Sequence, residues 1–260
     1  LLLGLFFYPL LFMFRASLGA PGWTVEEYAR FLLDSHYLGV LGRSLMLGAM
    51  VTAVTVLLGL PVAYWLARLE KNRFAPFLLL LATFPLWVSA VVRSFGWVVL
   101  LSRNGALSQT LQAFGLADRR FALAYTMTGV VIALAQVLLP YMVLSLYGVI
   151  RGIDPELERA AKNLGAGPWR AVAFTTIPLA ARGIFSASLL VFALAISAFA
   201  TPSLVGGARV QLMSTTIYEQ MNELADWPFA SAVSFILLAV VLVISLLWAR
   251  LSPSEAIAGR

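Results

Sequence analysis

The chain has 260 residues, of which 61% are hydrophobic and only 12% charged. Soluble domains carry about a quarter charged residues, so a water-soluble globule is a poor fit. The absence of cysteine excludes disulfides, a thiol nucleophile and iron–sulfur ligation, and the basic residues behind the +6 net charge do not cluster with aromatics as a nucleic-acid face would.

In chain order, Leu1 to Phe14 is uncharged and predicts a first span over about 1–18. It begins without methionine and reads as a helix clipped at its N-terminus; with no basic leader, a cleaved signal peptide is the weaker reading. Pro21 to Arg43, with Trp23, Tyr28, Phe31 and Tyr37, predicts an outer interfacial helix whose aromatics suit the headgroup boundary. Uncharged runs then predict spans over about 45–67, 74–101, 122–150, 180–201 and 228–249. Most exceed the roughly 20 residues that cross a bilayer core, where a helix satisfies its own backbone. The third run is interrupted by Arg93, and Pro61, Pro85 and Pro140 predict kinks in the second, third and fourth spans. No long linker or low-complexity tract divides the chain, so residues 1–260 read as one transmembrane domain.

Six spans put both termini on one side. Ten basic residues then fall on the side holding the 68–73 and 151–182 loops, seven on the other, and Arg93 within the membrane. The positive-inside rule makes the first side cytoplasmic. His36 falls in the outer loop between the first two spans and, as the single histidine, supports neither a histidine catalyst nor a multi-histidine metal site.

Between the fourth and fifth spans lies a charged, glycine-punctuated segment, LERAAKNLGAGPWRAVAFTTIPLA, residues 157–180. Asp154 can cap a helix that opens with Pro155 and Glu156. Leu157, Ala160, Ala161 and Leu164 recur at helical spacing and make a narrow apolar stripe; Glu158, Arg159, Lys162 and Asn163 are expected on the other face. Gly165 ends this helix, Gly167-Pro168 starts a second, short one at an angle, and Pro178 bends the chain toward the fifth span. The small-residue stripe suits insertion into a protein groove better than burial among acyl chains, where a surface helix would place large aromatic anchors.

This segment, over about 154–178, resembles the signature loop of bacterial binding-protein-dependent ABC importer permeases. Ala160, Ala161, Gly165 and Pro178 match at the family spacing, and Ile177 conservatively replaces a leucine. Arg159 stands where the family glutamate falls, with Glu158 beside it, and Thr175 replaces an isoleucine. The stretches 91–111, 204–207 and 226–232 are similar to the polyamine-type branch. The resemblance implies an all-α integral membrane fold of six transmembrane helices, a type I ABC importer permease bundle (MetI-like) with a cytoplasmic coupling helix. It implies that Glu158, Arg159, Ala160, Ala161, Leu164, Gly165 and Pro178 couple to an ATPase. The implied partners are an ABC ATPase dimer, a second and different permease chain, a periplasmic solute-binding protein and membrane lipid. The bacterial inner membrane is the implied location.

No phosphate-cradling Gly-x-x-x-x-Gly-Lys-Ser/Thr occurs. The chain is therefore expected to be non-catalytic and to bind no cofactor, with ATP and Mg bound by the partner ATPase. Its path or gate is expected at Arg93, Trp97, Ser197, Phe199, Thr201 and Ser203. A charge at membrane depth faces a cavity or partner, or else snorkels to the outer interface, and irregular backbone at that depth belongs beside a cavity. Tyr218, Glu219, Glu223 and Asp226 are candidate contacts for solute or binding protein, with Asp226 also placed to cap the last helix. The favoured cargo is a polyamine such as spermidine or putrescine. An anionic cargo, such as a phosphonate, or a ferric or thiamine compound suits the same fold, and an anion suits Arg93 better. A secondary transporter is the further alternative, although the chain shows no convincing inverted repeat.

Overall fold

The computed structural model describes residues 2–19, 23–69, 74–115 and 122–251. The first helix, α1 (Leu2–Ser17), covers 16 residues and packs along the last helix, with Phe14 edge-on to Phe235 at 5.3 Å. The predicted outer helix over 21–43 is divided. A short α2 (Glu26–Leu33) is followed at once by α3 (Ser35–Arg68), a single helix of 34 residues. Asp34 accounts for the break, because its side chain accepts the His36 backbone N–H at 2.8 Å and starts α3 there. His36 thus sits in the first turn of a long helix rather than in a loop.

The predicted third span is broken. It runs as α4 (Ala75–Thr83), a tight turn over Phe84–Trp87 and α5 (Ala90–Leu101). The stretches Pro76–Trp87 and Ala90–Ala113 meet at 90°. Pro85 sits in the tight turn, where its missing N–H is tolerated. Pro61 and Pro140, by contrast, lie within helices that run on unbroken past them. A short α6 (Ala106–Ala113) leads to α7 (Met127–Arg151), then α8 (Pro155–Asn163) and α9 (Pro168–Ala171). α10 (Ile177–Ser197), α11 (Met213–Asn222) and α12 (Trp227–Leu251) complete the chain.

The core is a trio of α3, α7 and α10. Val51 and Ala63, Leu134 and Met142, and Val191 and Ala195 fill it almost without exposure. Two glycines set the spacing. A Cβ at Gly59 would fall 2.8 Å from Met142 Cγ, and one at Gly183 would fall 2.4 Å from a Val149 methyl, so the α3–α7 and α7–α10 contacts need bare backbone there. Among the described residues four helices are long and apolar enough to cross a membrane, or five if the bent α4–α5 pair makes one span. The described part of α1 falls short of the roughly 20 residues a span requires.

Candidate functional site

At one end of the bundle the chain leaves α7, makes α8 and returns into α10. This knuckle starts as its sequence predicts: Asp154 accepts the Glu156 N–H at 2.9 Å, and Pro155 opens the helix. Gly165, at φ +90°, supplies the left-handed turn that ends it. The return differs from expectation. Pro178 does not bend the chain away from the next span; α9 passes through a wide turn over Val172–Thr176 into α10, giving continuous helix from Pro168 to Ser197. The Ile177 N–H reaches back five residues to the Val172 carbonyl. Such widened turns absorb a local break in the ladder, and here Pro178 has no N–H to give.

The apolar stripe of α8 faces out of the protein, with Leu157 46% and Leu164 89% exposed and Ala160 exposed between them. Arg159, on the exposed side, pairs with Glu156. Glu158 does not join it. Expected on one face with Arg159, Glu158 is instead turned inward and is 5% exposed, because position 158 shares with Ala161 the edge of α8 that lies across the end of α3. Its carboxylate accepts from Tyr64 Oη at 2.8 Å, from Arg68 Nη2 at 2.6 Å and from the Thr176 hydroxyl. Arg68 Nη1 also donates to the Ile153 carbonyl at 3.1 Å. One carboxylate thereby ties α8 to the end of α3 and to the wide turn before α10. Desolvation, the strongest single influence on Glu158, works to raise its pKa. The bonds from Thr176, Tyr64 and Arg68 together outweigh it and hold the group below the ordinary carboxylate range. A cavity of about 350 Å³ opens beside this cluster between Arg68, Arg159 and Lys162. An apolar one of about 460 Å³ lies between Trp65 and Trp169.

The second constellation lies where the third span breaks. Arg93 stands in the first turn of α5, its N–H bonded to the Ser89 carbonyl at 3.1 Å. It is eight residues before the end of α5 at Leu101, about 12 Å along the axis. Its half-buried side chain lies within electrostatic reach of the Tyr141 phenol on α7, and its Nε and Nη1 are buried without a hydrogen-bond partner. One residue on, Ser94 donates to Thr201 Oγ1 at 3.0 Å, and Trp97 Nε1 donates to Gln136 Oε1 of α7 at 3.3 Å.

At the end of the bundle opposite the knuckle, α10 stops at Ser197 and Ala198 turns extended. The Ala198 carbonyl, freed by that break, accepts the Ser214 hydroxyl at 2.7 Å. Phe199 stacks on Tyr218 with ring centres 4.6 Å apart, and the chain then makes a second wide turn over Pro202–Gly206 that contains Ser203. Glu219 is half-buried on α11, and Glu223 is exposed just past its end. Asp226 is fully engaged: it caps α12 by accepting the Phe229 N–H at 3.1 Å and takes Arg30 Nη1 at 2.9 Å. Arg30 also lies 4.1 Å over the Phe229 ring. The capping expectation for Asp226 holds, and its other oxygen ties α2 to α12.

Residues 56–255 match the family model described as binding-protein-dependent transport system inner membrane component. This chain belongs to that family. The permease is 36% identical over 230 residues to the spermidine/putrescine transport system permease protein PotB of Salmonella typhimurium, covering 88% of this chain and 79% of the relative. It is 33% identical to the protein of the same name from Haemophilus influenzae, over 81% of this chain and 73% of that one. Its fold matches a bacterial alginate ABC transporter crystallised with an alginate pentasaccharide-bound periplasmic protein, at TM-score 0.75 and 18% identity, covering 95% of this chain and 88% of that one. The chain is an all-helical, non-catalytic permease subunit of an ABC importer, an inner membrane component.

Within the permease, Arg93 and Trp97 share α5 with Ser94, which bonds Thr201, and Phe199 stacks on Tyr218 in the break after α10, with Ser197 and Ser203 on either side of it in the chain. Sequence reasoning missed Tyr64, Arg68 and Thr176, the partners of Glu158. Tyr64 and Arg68 carry a legible signal, since a tyrosine and an arginine four apart in the last turns of a span share one face. Thr176 carries none.

Proposed function

We propose that this permease carries a polyamine, such as spermidine or putrescine, inward across the bacterial inner membrane. The bundle has six spans, with α1 in the first, and its knuckle end and both termini face the cytoplasm. The exposed stripe of α8 seats in a groove of an ABC ATPase dimer that binds ATP and Mg. Closure of that dimer displaces α8, and the displacement passes to α3 through Glu158 and to α10 through the unbroken helix from Pro168. The spans rock against a second, different permease chain and open toward a periplasmic binding protein. Such a lever needs a stiff connection between docked helix and span.

The observation that carries the transport reading is that one buried carboxylate joins α8, α3 and the start of α10 while Leu157 and Leu164 stay exposed. The cargo rests on identity to permeases named for spermidine and putrescine. Ser197, Phe199, Thr201 and Ser203 form the outer gate. Tyr218, Glu219 and Glu223 meet the polyamine or the binding protein, since carboxylates pair with ammonium groups and a tyrosine face attracts them. The test is the assembled importer in vesicles. Binding protein loaded with spermidine or putrescine should stimulate ATP hydrolysis and uptake. No stimulation by either cargo would end the polyamine assignment, and gradient-driven uptake by this chain alone would end the importer assignment.

A further inference from the structure

Among the described residues Arg93 is the side chain with two buried polar atoms left unbonded, where Arg68 and Gln220 each have one. Its Nε and Nη1 are shielded from solvent and unpaired, although a guanidinium at membrane depth requires a counter-charge or carbonyls. Its neighbour on α7 is Tyr141, a phenol rather than a carboxylate. The uncharged runs that build the spans contain no Asp or Glu. The acids among the described residues sit at the ends of the bundle: Glu26, Glu27 and Asp34 around α2, Asp154, Glu156 and Glu158 in the knuckle, and Glu219, Glu223 and Asp226 around α11. A lipid phosphate at the surface is a further source of charge, but Arg93 lies beside Tyr141, ten residues or about 15 Å along α7 from its nearer end at Arg151. Among the described residues, none of these acids reaches Arg93 at the break in the third span, and its two nitrogens stay unbonded.

We infer that Arg93 receives a carboxylate carried at membrane depth by the second permease chain, and that this ion pair fixes the α4–α5 break against that chain. The inference rests on the two-permease, polycation reading above, since a polyamine would be repelled by Arg93. The surroundings suit a protein contact. Trp87, Val92 and Phe95, which flank Arg93 along the break, are all more than half exposed and give the pair an apolar collar. Arg93 is half-buried rather than sealed, so a side chain can approach its edge. Burial behind apolar neighbours strengthens such a pair by excluding water.

The experiment uses the whole importer, co-expressed and extracted in mild detergent, and reads the second permease retained on this chain. Arg93→Leu removes the charge without leaving a polar group. It should weaken retention by about thirtyfold or more, the lower range for truncating one side of a buried ion pair. Arg93→Lys should keep most of it, and Arg93→Glu should abolish it. Selection for restored uptake in the Arg93→Glu strain should return Lys or Arg at a membrane-depth acid of the second permease. Membrane levels of this chain separate assembly loss from misfolding: a variant absent from the membrane is replaced by Arg93→Gln, read the same way. Native retention in the Leu and Glu variants overturns the inference. So do suppressors confined to the binding protein, or an anionic solute that protects Arg93, because these make Arg93 a cargo contact. Failure of spermidine and putrescine to stimulate ATP hydrolysis strikes the cargo reading alone, since retention is read without cargo.

Discussion

Arg68 and Arg93 are both cations placed in or beside a span, and the protein treats them in opposite ways. Arg68 ends α3 with Nη1 on the Ile153 carbonyl and Nη2 on Glu158, and leaves its Nε unbonded. Arg93 opens α5 with Nε and Nη1 both buried and unbonded. The difference lies in what each helix end touches. α3 ends against a loop that can carry acids in water, and the sequence places Glu158 there. α5 begins level with the middle of α7, where the described residues offer serine, tyrosine and tryptophan but no acid. A cation satisfied within its own chain joins elements of that chain. One left unsatisfied at depth marks a place where another molecule must come.

The largest expected effect breaks the satisfied member. Glu158→Ala would leave Arg68 in a largely buried site without its counter-charge, at a cost of about 3 kcal/mol. Thermal unfolding of the purified importer should register this loss, and ATP hydrolysis should uncouple from uptake because α8 no longer pulls on α3. Glu158→Gln keeps the shape and a weaker acceptor and should recover part of both. Unchanged stability in the alanine variant would show that the cluster does not carry the knuckle.

A smaller effect should come from the other half of the lever. At Gly183 the three atoms nearest an added Cβ all belong to Val149, whose branched side chain has few rotamers to retreat into. Gly183→Ala should force α7 and α10 apart, at about 1–3 kcal/mol. Adding Val149→Ala should restore most of the melting temperature. If the second substitution gives no recovery, the close approach of these helices is not what Gly183 provides.

Much of this was legible in the amino-acid order, for a physical reason. Asp154, Pro155 and Gly165 act through their own backbone and neighbours, so cap, start and stop could be read without knowing the fold. The long apolar runs declared their helices in the same way. What could not be read depends on partners distant in sequence. Nothing local says that Glu158 rather than Arg159 turns inward; that choice follows from α8 lying across Tyr64 and Arg68, which precede Glu158 by 94 and 90 residues. Pro178 was read as a bend because a lone proline interrupts the ladder, yet the wide turn before it takes up the interruption. Arg93 was legible as an anomaly from its neighbours, but its depth needed the break at Phe84–Trp87.

The smallest expected change is with pH, and it tests whether the Arg68 partner is truly ionised. Glu158 has a folded pKa below its unfolded value, so its contribution is present above the unfolded value, about 4.3, and is lost as pH falls through the folded one. Between about pH 8 and about pH 5 the hydrogen-exchange protection of α8, corrected for intrinsic rate, should therefore stay level. It should fall only in stronger acid. Had desolvation won over the three hydrogen bonds, the carboxyl would take up its proton nearer neutrality and the knuckle would loosen within that window. A loss of protection by about pH 6 would mean that Arg68 faces a neutral acid, and the contrast with Arg93 would then be one of degree rather than kind.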